Sequence, residues 1–221
     1  MTSKYFEQLR SSCYTEWCSY TQHKFIKQLA SGKLPLESFR FYLKQDYLFL
    51  KHLVRAWSLA IYKADDLSDI CYVTGLLDML INHEMPLHVR FCERWGLSSE
   101  SMLATSEEPT TIAYTRYILD KAVMGDILDI YTVLAPAILG YAEIGRSLLQ
   151  NDNVNLNHNP YQEWIALYGG DGFQKAANAF SEQVDKVYNK RFANSRFEDL
   201  SKNFYQSVNL EKEFWTAALV R

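Results

Sequence analysis

The sequence predicts an all-helical single domain, and three observations lead to this prediction. Apolar residues recur at three- and four-residue spacing along most of the chain, as they do on one face of an α-helix. Glycine and proline are scarce, with 9 and 5 residues in 221, which favours long helices with few turns. No stretch has the alternating pattern of a β-strand. A chain of this length can bury a full core without metal or disulfide staples.

The individual helices follow from this periodicity and from the residues that end it. Gly32 and Pro35 mark a turn, Gly96 is a candidate C-terminal cap, and Gly169-Gly170 marks another turn. About seven or eight helices are expected. The second carries Asp46 and runs to about Lys63, and a short one passes through Trp164. The others have the approximate spans 4–30, 67–96, 111–124, 126–150, 171–192 and 197–219.

Composition and charge exclude several classes of protein. A net charge of −3 gives no electrostatic footprint for DNA or RNA. The N-terminus lacks the layout of a signal peptide, and no apolar run approaches the roughly 18 residues of a membrane span, so we expect a soluble protein. The four cysteines form no CxxC pair and no zinc spacing, and we expect them to be reduced, mostly buried thiols.

Asp46 occupies a position where a charged side chain is unexpected. It falls within a helical stripe of apolar residues: Phe39, Leu43, Leu50, Leu53 and Trp57. A carboxylate that faces a core is costly unless it is paired or hydrogen-bonded. Asp46 is therefore either half of a structural ion pair with an Arg or Lys, or a carboxylate that lines a pocket with a retuned pKa.

Glu211 repeats this anomaly in the last helix, where it lies within the apolar face of Phe204, Val208, Trp215 and Ala218. Two inward carboxylates together with several tyrosines suit a flat, nitrogen-rich ligand. Aromatic rings can sandwich such a heterocycle, and carboxylates can accept hydrogen bonds from its ring nitrogen and exocyclic amine.

The helix at 126–150 carries a further irregularity. Pro136 removes an N–H group and clashes with the carbonyl of Thr132, and Gly140 follows one turn later. This pair predicts a kink, which serves either close approach to a ligand or plain packing. Tyr168, directly before the Gly169-Gly170 turn, is placed to point into a cavity.

Six motifs in order resemble the TenA/thiaminase II family, a branch of the heme oxygenase-like helical fold. They span nearly the whole chain and are QDYLFL (45–50), EMPLH (84–88), AYTRY (113–117), APAILGYAEIG (135–145), YGGDGF (168–173) and EKEFW (211–215). The resemblance implies a cytoplasmic homotetrameric enzyme of thiamin salvage that uses no metal or organic cofactor. Such enzymes hydrolyse aminopyrimidines, typically 4-amino-5-aminomethyl-2-methylpyrimidine, to the hydroxymethylpyrimidine, and many also cleave thiamin.

The same resemblance implies roles for individual residues. Asp46 matches the aspartate that contacts the pyrimidine and positions the nucleophile, and Glu211 matches the glutamate that bonds the ring and moves protons. The pocket tyrosines correspond to Tyr114, Tyr141 and Tyr168. Phe49 stands where some members have a tyrosine, which removes one hydroxyl and keeps the stacking wall.

Ala137 departs from the family pattern at the position of the catalytic nucleophile. The thiaminase pattern reads A-P-C at this point, with the cysteine as nucleophile, whereas this chain reads Ala135-Pro136-Ala137. Alanine cannot supply the thiolate that adds to the ring and expels the amine. The chain is either an engineered cysteine-to-alanine variant or a natural member of a cysteine-free branch in which carboxylates carry the hydrolysis.

Competing interpretations rest on weaker signals. His83, Glu84 and His88 resemble a metal motif, but the histidines are five apart rather than four, and we expect His88 to bond a carboxylate or a tyrosine. His23 suggests a heme ligand by fold analogy alone. The alternative functions are a non-catalytic pyrimidine-binding or regulatory protein and an oxidative member like the pyrroloquinoline quinone synthase.

Overall fold

The computed structural model describes residues 3–151, 154, 156–191 and 194–219. Over these residues the regular structure is entirely helical, and no strand occurs among them. The all-α prediction is confirmed.

The described residues form thirteen α-helices rather than the expected seven or eight. In chain order they are α1 Lys4–Ser12, α2 Tyr14–Thr21, α3 Lys24–Ala30, α4 Leu36–Lys63, α5 Leu67–Met79, α6 Met85–Arg94, α7 Ser99–Leu103, α8 Pro109–Met124, α9 Ile127–Ala135, α10 Tyr141–Leu149, α11 Gln162–Gly169, α12 Asp171–Arg191 and α13 Phe197–Leu219. Short 3-10 turns lie at Leu156–His158 and Asn194–Arg196.

The single helix expected at 4–30 is wrong, because the chain breaks there twice. Cys13 has φ −138° and ψ 42°, outside the helical region, and separates α1 from α2. His23 ends the second break by accepting a hydrogen bond from the Phe25 N–H group, which caps α3. The apolar period continues across both breaks, so the periodicity alone does not reveal them.

Two other expected helices are interrupted by π turns. Leu80–Glu84 separates α5 from α6, and Pro136–Gly140 separates α9 from α10. Gly96, at φ +75°, follows α6 and ends the first of the two interrupted helices, as expected. Gly32, at φ +70°, forms the predicted turn before α4. Single π turns inside α-helices are frequent at functional sites.

The residues group into two compact units, which we describe separately. Unit 1 comprises 1–34 with 131–216, and unit 2 comprises 35–130 with 217–221. The assignment of the whole chain to a single domain stays a prediction.

In unit 2, the long helix α4 packs against α5, α6 and α8. Gln45, which is buried, fixes α4 to the start of α8. Its amide donates to the Ser106 carbonyl, and its Oε1 accepts from the Glu108 N–H group and from the Thr111 hydroxyl at 2.6 Å. One buried side chain therefore sets the position of α8 along α4.

In unit 1, α10 and α11 approach each other backbone to backbone at two glycines. A Cβ atom at Gly145 would overlap the backbone of Tyr168 and Gly169, and one at Gly169 would overlap the carbonyl oxygen of Gly145. Gln174 of α12 seals the contact by donating to the carbonyls of Ala142 and Tyr168, both at 2.8 Å. The glycines thus determine where Tyr168 lies.

One continuous helical segment passes the length and composition test for a membrane span, contrary to the sequence expectation. It runs from Ile127 to Leu149, with a mean hydropathy of 1.5 in its most apolar window. Of that window, 78% is buried inside the protein, as in the core helix of a globular domain. Burial of this kind makes the segment weak support for membrane insertion.

Gly145→Ala should lower the free energy of unfolding by about 1–3 kcal/mol, because the added methyl group meets backbone that cannot rotate away. Chemical denaturation measures this loss. Gly172→Ala is the matched control: it lies in α12 with open space around it, so the change should be neutral or stabilise by up to about 1 kcal/mol. Equal effects of the two substitutions would contradict the proposed close approach of α10 to α11.

Candidate functional site

Asp46 is buried in α4, at 6% exposure. The Tyr42 hydroxyl donates to its Oδ2 at 3.4 Å, and His88 Nδ1 of α6 lies 3.6 Å from the same oxygen. Neither of these partners within unit 2 is an Arg or a Lys. His88 was expected to hydrogen-bond a carboxylate or a tyrosine; its hydrogen bond goes to the Leu43 carbonyl at 3.1 Å, and Asp46 lies within ion-pair distance only. The guanidinium or ammonium pair considered for Asp46 is not found among the described residues of this unit.

The electrostatics around Asp46 favour bound protons. Burial raises the pKa of Asp46 to about 7, against a smaller lowering by the Tyr42 hydrogen bond. Burial and the charge of Asp46 also raise the pKa of Glu84 to about 7, although His88 opposes this shift. The pKa of His88 is lowered by burial. Asp46 and Glu84 therefore change protonation close to neutral pH.

Phe49 and Tyr114 form an aromatic contact in the same unit. Their ring centroids are 5.0 Å apart, with an interplanar angle of 36°, and both residues are buried. Phe49 lies on α4 three residues after Asp46, and Tyr114 lies on α8, whose start is fixed by Gln45. Two of the predicted wall residues are therefore in contact with each other.

Tyr141 and Tyr168 meet in unit 1, at a ring separation of 4.9 Å. Trp164 packs 4.6 Å from Tyr168, and Trp215 packs 5.4 Å from Tyr141. The sequence analysis did not assign the two tryptophans to this wall. Their helical positions, one turn before Tyr168 and one turn after Glu211, are a signal that could have identified them.

Glu211 is buried in α13, at 2% exposure. The apolar face predicted around it is confirmed, because Phe204, Val208, Trp215 and Ala218 are all fully buried. Glu211 belongs to unit 1 and Asp46 to unit 2. The expectation that both carboxylates hold one heterocycle stays a prediction.

Ala137 lies in the π turn at Pro136–Gly140. The Tyr20 hydroxyl donates to the Pro136 carbonyl at 3.2 Å, and a Cβ atom at Gly140 would overlap the Tyr20 ring. The glycine therefore makes room for a tyrosine side chain, which is the packing explanation of this irregularity. Ala137 itself is partly exposed.

The cysteines do not replace the missing thiol. Cys13 and Cys92 are buried, and burial raises the pKa of each to about 12, so both stay protonated at neutral pH. Cys18 lies on α2, and Cys71 is exposed on α5. All four are free thiols, as the sequence predicted, but only two of the four are buried, so the expectation that most would be buried is wrong.

No group of three or more His, Cys, Asp or Glu side chains suited to a metal ion occurs in the described part of the chain. Asp46 and His88 lie 3.6 Å apart in unit 2, and Glu84 interacts electrostatically with both.

The helical architecture and the buried carboxylates define a class: an all-α protein of heme oxygenase-like fold. A Shewanella denitrificans OS217 domain of unknown function, described as having that fold, matches with a TM-score of 0.75 at 15% identity, over 96% of this chain and 91% of that one. The chain belongs to the TENA/THI-4/PQQC family, whose sequence profile matches residues 11–221.

Individual relatives agree with this assignment. A crystal structure of a TenA family transcription regulator from Silicibacter sp. TM1040 has a TM-score of 0.94 and 36% identity, with coverage of 100% of this chain and 98% of that one. An uncharacterized Haemophilus influenzae protein is 36% identical over 96% of this chain and 98% of its own length. The aminopyrimidine aminohydrolase of Halalkalibacterium halodurans is 33% identical over 91% and 89%.

Asp46→Asn should flatten the pH dependence of stability. Because the folded-state pKa of Asp46 is about 7, the folded protein keeps a proton that the unfolded chain releases above pH about 4, so stability falls as pH rises through this window. Asparagine removes this fall and should stabilise the protein at neutral pH by a few kcal/mol at most. Urea denaturation between about pH 4 and pH 7 measures the slope.

Asp78→Asn, at an exposed position of α5, is the control and should show the same pH dependence of stability as the wild type. An unchanged slope in the Asp46 variant would mean that Asp46 is ionised in the folded protein throughout this range.

Proposed function

We propose that this protein is an aminopyrimidine-binding hydrolase of thiamin salvage, acting on 4-amino-5-aminomethyl-2-methylpyrimidine or thiamin. The observation that carries the proposal is the burial of Asp46, whose partners among the described residues of its unit are Tyr42 and His88. A carboxylate kept only for stability would gain from a Lys or Arg partner or from replacement by an apolar residue. Relatives named aminopyrimidine aminohydrolase support the same activity.

The proposed ligand suits the chemistry of the candidate residues. A pyrimidine is flat and apolar on its faces, and the two aromatic pairs, Phe49 with Tyr114 and Tyr141 with Tyr168, offer ring surfaces for stacking. Its amino groups and ring nitrogens need acceptors and donors, which a carboxyl group supplies in its two protonation states. We assign Asp46 and Glu211 to these polar contacts.

The overall reaction replaces the aminomethyl nitrogen by the oxygen of water, with release of ammonia. The proton that leaves water must reach the departing amine, so one acid and one base are required. We propose that Glu211 supplies the proton to the leaving amine and that Asp46 orients the ring. In members with a cysteine at position 137 the thiolate would first displace the amine; in this chain water must act directly, activated by a carboxylate.

A non-catalytic pyrimidine-binding or regulatory role is the second candidate, and Ala137 is the observation that favours it. Removing a nucleophile abolishes covalent catalysis without removing the stacking and hydrogen-bonding groups. The name of the Silicibacter relative, a transcription regulator, belongs to this class of function.

We also propose that the protein is a cytoplasmic homotetramer, in line with the family resemblance. Exposed apolar side chains on α5, on the π turn that follows and on α6 support self-association in unit 2: Leu67, Met79, Ile81 and Leu87. Exposed large apolar side chains, where they cluster, are typical of protein–protein contacts.

Glu211→Gln should weaken the binding of 4-amino-5-aminomethyl-2-methylpyrimidine about ten- to a hundredfold, because a charge-assisted hydrogen bond is lost while the shape is kept. Isothermal titration calorimetry measures this change. Glu213→Gln, exposed on the same helix, is the matched control and should bind as the wild type does. Equal affinity of the Glu211 variant and the wild type would remove Glu211 from the binding site.

Ala137→Cys tests whether the chain is a disabled thiaminase. Restoring the nucleophile should raise ammonia release from the aminopyrimidine at least about a hundredfold, because a thiolate adds to the ring far faster than water does. Ala137→Ser is the control, since a serine of similar size is a poor nucleophile without an adjacent base. A serine variant as active as the cysteine variant would rule out thiolate catalysis at this position.

If the wild type turns the substrate over and cysteine brings no gain, the carboxylates carry the hydrolysis. If the wild type binds the aminopyrimidine and neither variant releases ammonia, the protein is a binding or regulatory member of the family.

A further inference from the structure

Three titratable side chains meet inside unit 2, and only one of them has a role in the function proposed above. Asp46 comes from α4, His88 from α6, and Glu84 from the end of the π turn that joins α5 to α6. His88 and Asp46 are almost fully buried, with side-chain exposures of 9% and 8%. Glu84 precedes His88 by one turn, so the two share a helix face.

The hydrogen bond to the backbone fixes the tautomer of His88. Its Nε2 lies 3.1 Å from the carbonyl oxygen of Leu43, and a carbonyl can only accept. Nε2 therefore carries a hydrogen, and in the neutral imidazole Nδ1 is left as an acceptor. The Tyr47 ring stacks on the imidazole at a centroid separation of 6.4 Å, which limits its rotation.

Nδ1 of this tautomer faces Asp46 Oδ2 across 3.6 Å. A neutral imidazole and an ionised carboxylate would oppose two acceptors in a buried site, which is unfavourable. One proton resolves the conflict, either as a carboxylic acid beside neutral imidazole or as a carboxylate beside imidazolium. The titrations of Asp46 and His88 are therefore coupled through one proton.

Glu84 determines which of the two positions is favoured. Burial lowers the pKa of His88 and the negative charge of Glu84 opposes that shift, while burial and the charge of Asp46 raise the pKa of Glu84. Two further titratable groups act on the cluster. Tyr42 of α4 donates to Asp46, and Cys92 of α6 stays protonated near neutral pH. No Lys or Arg in the described part of unit 2 forms an ion pair with Asp46 or Glu84.

We propose that His88 and Glu84 are positioning residues that hold one shared proton at Asp46, and that Glu84 decides whether Asp46 presents an acceptor or a donor to a bound heterocycle. With the proton on His88, Asp46 accepts from an amino group. With the proton on Asp46, it donates to a bare ring nitrogen. The shared proton rests on the facing Nδ1 and Oδ2 atoms of His88 and Asp46 and on the Nε2 hydrogen bond of His88. Its effect on a ligand rests on the proposed function.

The first experiment is histidine side-chain ¹⁵N NMR of the full chain between about pH 5 and pH 9. His88→Gln identifies the His88 signals among the five histidines. We expect the Nε2–H tautomer in the wild type. Glu84→Gln should lower the His88 titration midpoint by about half a pH unit or more, because the negative charge that stabilises imidazolium is removed.

Two further variants sharpen this test. Glu93→Gln removes an exposed carboxylate from the same helix and should leave the His88 midpoint unchanged. Asp46→Asn should lower the midpoint strongly, since an amide can donate to neutral Nδ1. An Nδ1–H tautomer, or a midpoint that Glu84→Gln moves no further than Glu93→Gln does, would overturn the shared proton.

The second experiment measures the affinity for 4-amino-5-aminomethyl-2-methylpyrimidine over the same pH range. In Glu84→Gln the midpoint of the binding profile should move with the His88 midpoint, while the maximal affinity stays within about twofold of the wild type. Glutamine keeps the shape of the side chain, so a merely structural role of Glu84 would lower affinity equally at every pH, or lower the melting temperature alone.

The two experiments fail independently. A wild type that binds no aminopyrimidine at any pH contradicts the proposed function, and the NMR titration still decides on the shared proton. Binding with a profile that Glu84→Gln leaves in place, despite a shifted His88 midpoint, would overturn the effect of Glu84 on the ligand.

Discussion

A buried carboxylate with no Lys or Arg partner among the described residues of its unit is the constraint on which unit 2 depends. Asp46 sits in the middle of α4, the helix against which α5, α6 and α8 pack. An ionised group there must be compensated by hydrogen bonds or must bind a proton. The Tyr42 hydroxyl donates to Asp46 Oδ2, and His88 of α6 faces the same oxygen. The packing of α6 on α4 and the protonation of Asp46 are therefore linked.

The two π turns show how local irregularity positions candidate groups. One ends at Glu84, directly before the helix that carries His88, and the other contains Ala137. Each π turn inserts one extra residue into a helical turn. The side chains after the insertion are therefore rotated about the helix axis relative to the side chains before it. The second turn is supported by the Tyr20 hydroxyl and by the space at Gly140, which explains why a proline–glycine pair is accommodated inside a buried helix.

Periodicity predicted those parts of the structure in which a helix buries one continuous face. Asp46 and Glu211 were expected within apolar stripes, and both are buried; Gly96 was expected to end a helix, and it does so with a positive φ. The breaks at Cys13 and His23 escaped prediction because the apolar spacing continues across them. The roles of Gln45 and Gln174 also escaped it, since each bonds backbone groups from distant segments that no local pattern brings together.

In the proposed function, ligand binding and covalent catalysis depend on different residues, because Ala137 stands where the family pattern has a thiol. The proton held by Asp46 depends on burial, on Tyr42 and on His88, all within unit 2, whereas position 137 belongs to unit 1. A chain that lacks the nucleophile can therefore keep a carboxyl group tuned to neutral pH. In the proposed function that carboxyl group recognises a hydrogen-bonding heterocycle, and thiolate chemistry is a separate requirement at position 137.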